Sequence, residues 1–78
     1  MEKVGVMVHA ASGPGVLHQL TGAIARRGGD ISSVEISPHP KGESQVFFEI
    51  EIPGDEEGLL HELRAMSIVR SAEPVNPR

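Results

Sequence analysis

The sequence has no cysteine, tryptophan or tyrosine, and phenylalanine occurs only twice. Without cysteine the chain has no disulfide, no thiolate metal site and no cysteine nucleophile. A lack of cysteine is typical of reducing compartments, so we expect a cytoplasmic protein. No apolar run reaches about 18 residues, so we expect no membrane-spanning helix. The first ten residues alternate between apolar and polar, which is not the pattern of a signal peptide.

Basic residues are also scarce, with 7 Lys and Arg against 11 Asp and Glu. The resulting net charge of −4 repels phosphate backbones, so we expect no nucleic-acid partner. Binding of RNA on a sheet face also needs several exposed aromatic side chains. Phe47 and Phe48 are adjacent, so they lie on opposite faces of a strand and form no stacking platform.

The length of 78 residues allows one domain, and we expect residues 1–78 to form it. A domain of this size buries only about 60% of the surface that its unfolded chain exposes. Its stability is therefore marginal, and neither disulfides nor thiolate metal sites can raise it. We expect support from a second copy of the chain or from a larger protein.

Hydrophobic periodicity predicts the order strand, helix, strand, strand, helix, strand. The predicted strands are 3–10, 31–37, 43–52 and 68–75, with a turn over 38–42. Pro14 is expected in the first turn of one helix, and Asp55 is expected to cap the other. Each strand offers one apolar face, so both helices must cover the same face of one antiparallel sheet. This predicts an α+β fold, a ferredoxin-like βαββαβ sandwich with its second strand at an edge.

Glycine is concentrated where the first predicted strand passes into the first helix. The segment Ser12-Gly13-Pro14-Gly15-Val16-Leu17 spans this junction. The first N–H groups of a helix have no partner inside it, and the helix dipole favours negative charge there. Glycine also lets a ligand approach the backbone closely. The segment therefore suits a carboxylate, although the same glycines can simply form a tight turn.

The segment 12–17, followed by a helix and by Gly28-Gly29-Asp30-Ile31, resembles the ACT domain family. That family has a D-x-P-G-x-L turn before its first helix and a G-x-N-I segment at its second strand. The resemblance covers essentially the whole chain, including the element order. Ser12 replaces the family's usual acidic residue, and Asp30 replaces its frequent asparagine. Asp30 either repels the carboxylate of an amino acid, receives its ammonium group, or marks a site that has lost its ligand.

The resemblance implies a regulatory module that binds an amino acid at the interface of a homodimer or larger homo-oligomer. It implies no catalytic residue, cofactor or metal ion, and it fits either a free-standing protein or a regulatory domain of a larger metabolic enzyme. The resemblance implies a second wall of the site at the start of the second strand, contributed either by the same chain or by a neighbouring one. The ligand-binding residues that the resemblance implies are Ser12, Gly13, Pro14, Gly15, Val16, Leu17, Asp30 and Ile31.

Two other functions are alternatives to ligand sensing. A purely structural assembly domain would have the same fold and a dead pocket. Hydrolysis of acyl phosphates on a ferredoxin-like fold needs an arginine in the phosphate loop, and residues 10–15 contain no cation.

The spacing of the four histidines matches no helical metal-binding pair. Met7 and Phe47 are predicted on the face away from the helices, where a partner could cover them.

Overall fold

A computed structural model describes residues 2–75 and contains a four-stranded antiparallel sheet with two helices. The predicted element order and the α+β, ferredoxin-like fold are confirmed. The elements are β1 (Glu2–Ala11), α1 (Val16–Arg26), β2 (Asp30–His39), β3 (Glu43–Ile52), α2 (Glu56–Arg64) and β4 (Val69–Val75).

The strand order is β2-β3-β1-β4, so β1 and β3 form the centre of the sheet. All three strand pairs are antiparallel, and Met7 lies directly opposite Phe47 on the face away from the helices. The predicted edge position of β2 is therefore confirmed. β4 is the other edge, which explains why it tolerates Pro74.

The hydrophobic core lies between the sheet and the two helices. Alternate residues of β1 and β3 point into it, as the period of two requires. The apolar stripes of both helices cover them from one side. The largest fully buried side chains are Phe48, Leu20, Ile24, Ile50, Ile52, Leu59, Leu60, Leu63, Val6 and Val8.

Helix α1 begins at Val16, two residues after Pro14, because Gly15 takes the N-cap position in the left-handed conformation (φ 83°). Pro14 therefore belongs to the preceding turn and not to the first helical turn. At the other end, Gly28 is left-handed (φ 77°) and donates its N–H to Ala25 O. The N–H of Gly29 bonds to Ile24 O at 3.0 Å. These two bonds form a Schellman motif, which ends the helix as the glycine pair predicts.

The observed bounds of three strands differ from the predicted ones. β1 starts and ends one residue further out, and β4 starts one residue later. β2 extends from Asp30 to His39, through Pro38, which was assigned to the turn. Pro38 pairs with Ser44 of β3, because an edge strand tolerates a residue that lacks its N–H.

The prediction that Asp55 caps α2 is wrong in its chemistry. Asp55 occupies the N-cap position, but it is left-handed (φ 64°) and its side chain makes no capping hydrogen bond. Its carboxylate instead accepts a hydrogen bond from Arg27 Nη1 at 2.7 Å. Both partners of this bond are charged, whereas a backbone N–H is neutral, so the guanidinium adds an ionic attraction that the backbone does not offer.

Two arginines at the end of α1 join the two helices. They are Arg26 in the last turn and Arg27 at the C-cap. Arg26 Nη2 lies 2.7 Å from Glu62 Oε2, and Arg27 Nε lies 2.9 Å from Glu62 Oε1. The hydrogen bonds from Arg26 and then Arg27 hold the pKa of the Glu62 carboxyl below its usual value. The bonds to Glu62 and Asp55 raise the pKa of Arg27.

Two glycines of this region should respond oppositely to alanine. A Cβ on Gly29 would lie 2.7 Å from Ile24 Cγ2 and 3.1 Å from the Ile24 carbonyl oxygen. Gly29→Ala should therefore destabilise the fold by about 1–3 kcal/mol. In the matched control, Gly22→Ala, the Cβ meets only an arginine nitrogen at 3.5 Å, so the variant should gain up to about 1 kcal/mol of helix propensity. Thermal unfolding measures both, and equal melting temperatures for the two would contradict this packing.

The ion pairs of Glu62 predict a pH-dependent stability. A carboxyl whose pKa is lower when folded stabilises the protein above its unfolded-state pKa, and this contribution is lost as the pH falls through the folded-state pKa. Glu62→Gln should therefore lower the melting temperature at neutral pH, and the difference should shrink in acid. Glu35→Gln on exposed β2 serves as the control. A difference between Glu62→Gln and the parent that does not change with pH would count against the role of these pairs.

Candidate functional site

A groove of about 200 Å³ lies between the start of α1 and the end of β2, on the helix side of the sheet. Its walls come from the β1–α1 loop, from α1, and from the paired ends of β2 and β3. The groove is lined by Ser12, Gly13, Val16, Leu17, Leu20, Ile36, Pro38, Ser44 and Val46.

The loop at one end of the groove is held by backbone hydrogen bonds. The N–H of Ala11 donates to Ile68 O at 2.9 Å, and the N–H of Ser12 donates to Gly42 O at 2.8 Å. The second bond ties the loop to the β2–β3 hairpin. Gly13 is left-handed (φ 141°), and no atom lies within 4 Å of where its Cβ would be. The backbone is therefore open to a ligand at this point.

The start of α1 carries an uncompensated positive dipole end. Among residues 2–75, no side chain caps this helix, and its first turn contains no acidic residue. The N–H of Val16 makes only a long bond of 3.3 Å to Gly13 O. Backbone donors at a helix start favour a small anionic group, and no acidic side chain of the first turn competes for this place.

The walls of the groove are aliphatic, and two of them are exposed. Leu20 and Val46 are buried and form its floor, whereas Leu17 is 39% and Ile36 is 51% exposed. Val34, on the same side of β2, is 38% exposed. An exposed cluster of large aliphatic side chains is typical of a surface that binds a ligand or a partner.

The structure brings together only part of the predicted site. Ser12, Gly13, Val16 and Leu17 line the groove, whereas Pro14 and Gly15 form the turn that leads into α1.

Asp30 and Ile31 lie at the opposite end of β2. The six residue steps of strand from Asp30 to Ile36, the nearest lining residue of β2, span about 20 Å, since each residue advances about 3.3 Å. Within one chain these two residues therefore do not contact the groove.

Five lining residues were not assigned to the site from the sequence: Leu20, Ile36, Pro38, Ser44 and Val46. Leu20 and Val46 also belong to the hydrophobic core. The sequence does contain one indication of an apolar wall here. Val34 and Ile36 share one face of a strand that is predicted at the edge of the sheet. An edge strand beside a helix leaves part of its apolar face uncovered.

The histidines form no metal centre in the part of the chain that is described. His9 lies on β1, and its Nε2 is 3.3 Å from Glu43 Oε1. The His9 and His39 rings are 5.7 Å apart, on the face of the sheet away from the groove. Arg70 Nε also bonds to Glu43, at 3.1 Å. These contacts join residues of all four strands, so the sequence alone did not reveal them.

Neither helix within residues 2–75 is long and apolar enough to span a membrane.

Comparison with known protein families gives one match, to the ACT domain, over residues 4–67. A comparison with curated proteins finds no match.

Solved structures share the fold. The ACT domain from GTP pyrophosphokinase of Chlorobium tepidum superposes with a TM-score of 0.76 at 19% identity, covering 94% of this chain and 96% of that one. The small subunit of acetolactate synthase from Thermotoga maritima gives a TM-score of 0.80 at 23% identity, covering 99% of this chain and 49% of that one. A homoserine dehydrogenase from Thiobacillus denitrificans gives 0.72 at 14% identity, covering 95% of this chain and 17% of that one. At these identities the likeness establishes the fold alone.

Proposed function

Since the chain belongs to the ACT domain family, we propose that it is a regulatory module that binds an amino acid in the groove between α1 and β2. ACT domains are regulatory ligand-binding modules seen in metabolic enzymes. The observation that carries the proposal is an aliphatic groove that opens at the uncapped start of α1. This arrangement offers separate places for a carboxylate and for an apolar side chain.

The carboxylate of the ligand binds at the start of α1. The backbone N–H groups of the first helical turn point towards the loop, and the helix dipole favours a negative charge there. The Ser12 hydroxyl can donate a further hydrogen bond, which an acidic residue at this position could not do. The change from the family's acidic residue to Ser12 is thus compatible with an anionic ligand.

The ammonium group of the ligand requires a carboxylate. Among residues 2–75 no acidic residue lines the groove, and a second copy of the chain can supply one. β2 is an exposed edge strand of ten residues, whereas the other edge strand has seven. Two copies that pair their β2 strands antiparallel about a twofold axis place the start of one strand beside the end of the other. Asp30 and Ile31 of the second copy then lie next to Pro38 at the groove, where the Asp30 carboxylate receives the ammonium.

A ligand that touches both copies stabilises the pair relative to the separate chains. Its regulatory effect equals the difference between its affinities for the two states. The module acts through this equilibrium and needs no catalytic residue, cofactor or metal ion of its own. It serves either as a free-standing cytoplasmic protein or as a domain of a larger metabolic enzyme.

Calorimetric titration with the twenty amino acids tests the proposal. At least one should bind, and Asp30→Asn should weaken it by about tenfold or more, because a neutral amide replaces the carboxylate that pairs with the ammonium group. The same acid without its amino group should bind parent and variant alike.

The matched control is Glu51→Gln, because Glu51 lies directly opposite Asp30 on β3 but not on the edge strand. It should leave affinity unchanged. Tighter binding by Asp30→Asn would show that Asp30 repels the ligand instead. The absence of heat and of a thermal shift with every amino acid would leave only an assembly domain.

The pairing of β2 strands predicts a dimer that one substitution disrupts. Size-exclusion chromatography with light scattering should give twice the chain mass for the parent. Ile36→Lys should give the monomer mass, because it places a charge in the apolar contact. Val75→Lys, on the exposed β4 edge, is the control and should remain dimeric. A parent chain that is monomeric at high concentration would refute the pairing, as would a dimer that only Val75→Lys dissociates.

A further inference from the structure

From the lining of the groove, and resting on the function proposed above, we infer that the site selects amino acids with a branched aliphatic side chain. Valine, leucine and isoleucine form this class. The observation behind the inference is the chemical uniformity of the walls, together with the volume that they enclose.

None of the nine lining residues carries a charge. Their only polar side chains are the hydroxyls of Ser12 and Ser44, and Ser12 lies at the helix start, where the carboxylate of the ligand binds. Helix α1 contributes Val16, Leu17 and Leu20, and the strands contribute Ile36 and Val46. A charged ligand side chain would lose its hydration here without gaining an ionic partner, which is strongly unfavourable. Aspartate and glutamate are therefore excluded. Lysine and arginine are excluded as well, because the one carboxylate proposed at the site, Asp30 of the second copy, already pairs with the ammonium group of the ligand.

The volume of the groove suits a small branched side chain. The groove measures about 200 Å³, and an apolar cavity of about 150 Å³ is large enough for benzene. A branched side chain of about four carbons therefore fits between the walls.

The groove also lacks an aromatic partner. Phe48 is fully buried in the core, and Phe47 lies on the opposite face of the sheet. The favourable stacking that aromatic ligands gain from aromatic walls is therefore absent.

Exposure of the walls shows what such a ligand would cover. Leu17 and Ile36 flank the groove from opposite sides, and both are more than a third exposed. A branched aliphatic side chain placed between them removes apolar surface on both from water, and affinity rises with the apolar area removed. Glycine, alanine and serine are too small to contact both walls.

The test is an affinity series measured by calorimetry on the 78-residue chain. Glycine, alanine, valine, leucine and isoleucine probe the size of the side chain, and serine, aspartate, lysine and tryptophan probe its chemistry. Affinity should rise by about tenfold or more from alanine to the best branched amino acid, as expected when methylene groups enter an apolar site.

A matched pair of variants locates the selectivity. Leu17→Ser should remove most of the preference for the branched side chain over alanine, because a short polar side chain replaces one aliphatic wall of the groove. Gln19→Ser, on the same helix but outside the groove, should keep the full preference. Cooperative thermal unfolding of both variants shows that they are folded.

The outcomes separate this inference from the function on which it rests. Equal affinity for alanine and leucine would overturn the aliphatic selection, and so would tightest binding by serine, aspartate, lysine or tryptophan. In either case amino-acid binding itself stands. If no amino acid binds at all, both the selection and the proposed function are refuted.

Discussion

Two short helices cannot cover one face of a four-stranded sheet completely. α1 has 11 residues and α2 has nine, and together they bury the central strands β1 and β3. The outer strand β2 is covered only in part, so Val34 and Ile36 stay exposed on the side of the core. This shortfall creates both the groove and an apolar edge strand. In a domain of this size, uncovered apolar surface is where a further stabilising contact can form, and we propose it as the place for both a second copy and a ligand.

Antiparallel register decides where this uncovered surface meets the start of a helix. β1 runs towards the Ser12–Gly15 loop, and β3 begins beside the end of β1, with Ala11 opposite Glu43. The end of β2 is therefore adjacent to the same loop, and the Ser12 bond to Gly42 fixes that contact. An aliphatic wall and a set of backbone donors thus lie at one end of the sheet. Neither feature alone would select a ligand with both a carboxylate and an apolar side chain.

The fold of the ACT family is shared by domains in proteins with different activities, so the fold does not identify the ligand. What distinguishes this chain is its site: a serine before the Gly-Pro-Gly turn, a carboxylate at the start of β2, and walls without charge. In the proposed site, these differences give the polar contacts of the ligand to backbone donors and one aspartate instead of acidic and amide side chains. We therefore interpret them as a change in how the ligand is held.

Sequence alone determined the features that depend on neighbours along the chain. The period of two in Val4, Val6 and Val8 defined the buried face of β1, and the glycines at 28 and 29 defined the end of α1. Tertiary structure decided the features that join distant segments. These include the pairing of Arg27 with Asp55, and the roughly 20 Å of strand that separate Asp30 from the groove within one chain. Periodicity reports which face of an element is apolar, but the register between elements decides which side chains meet and which remain uncovered.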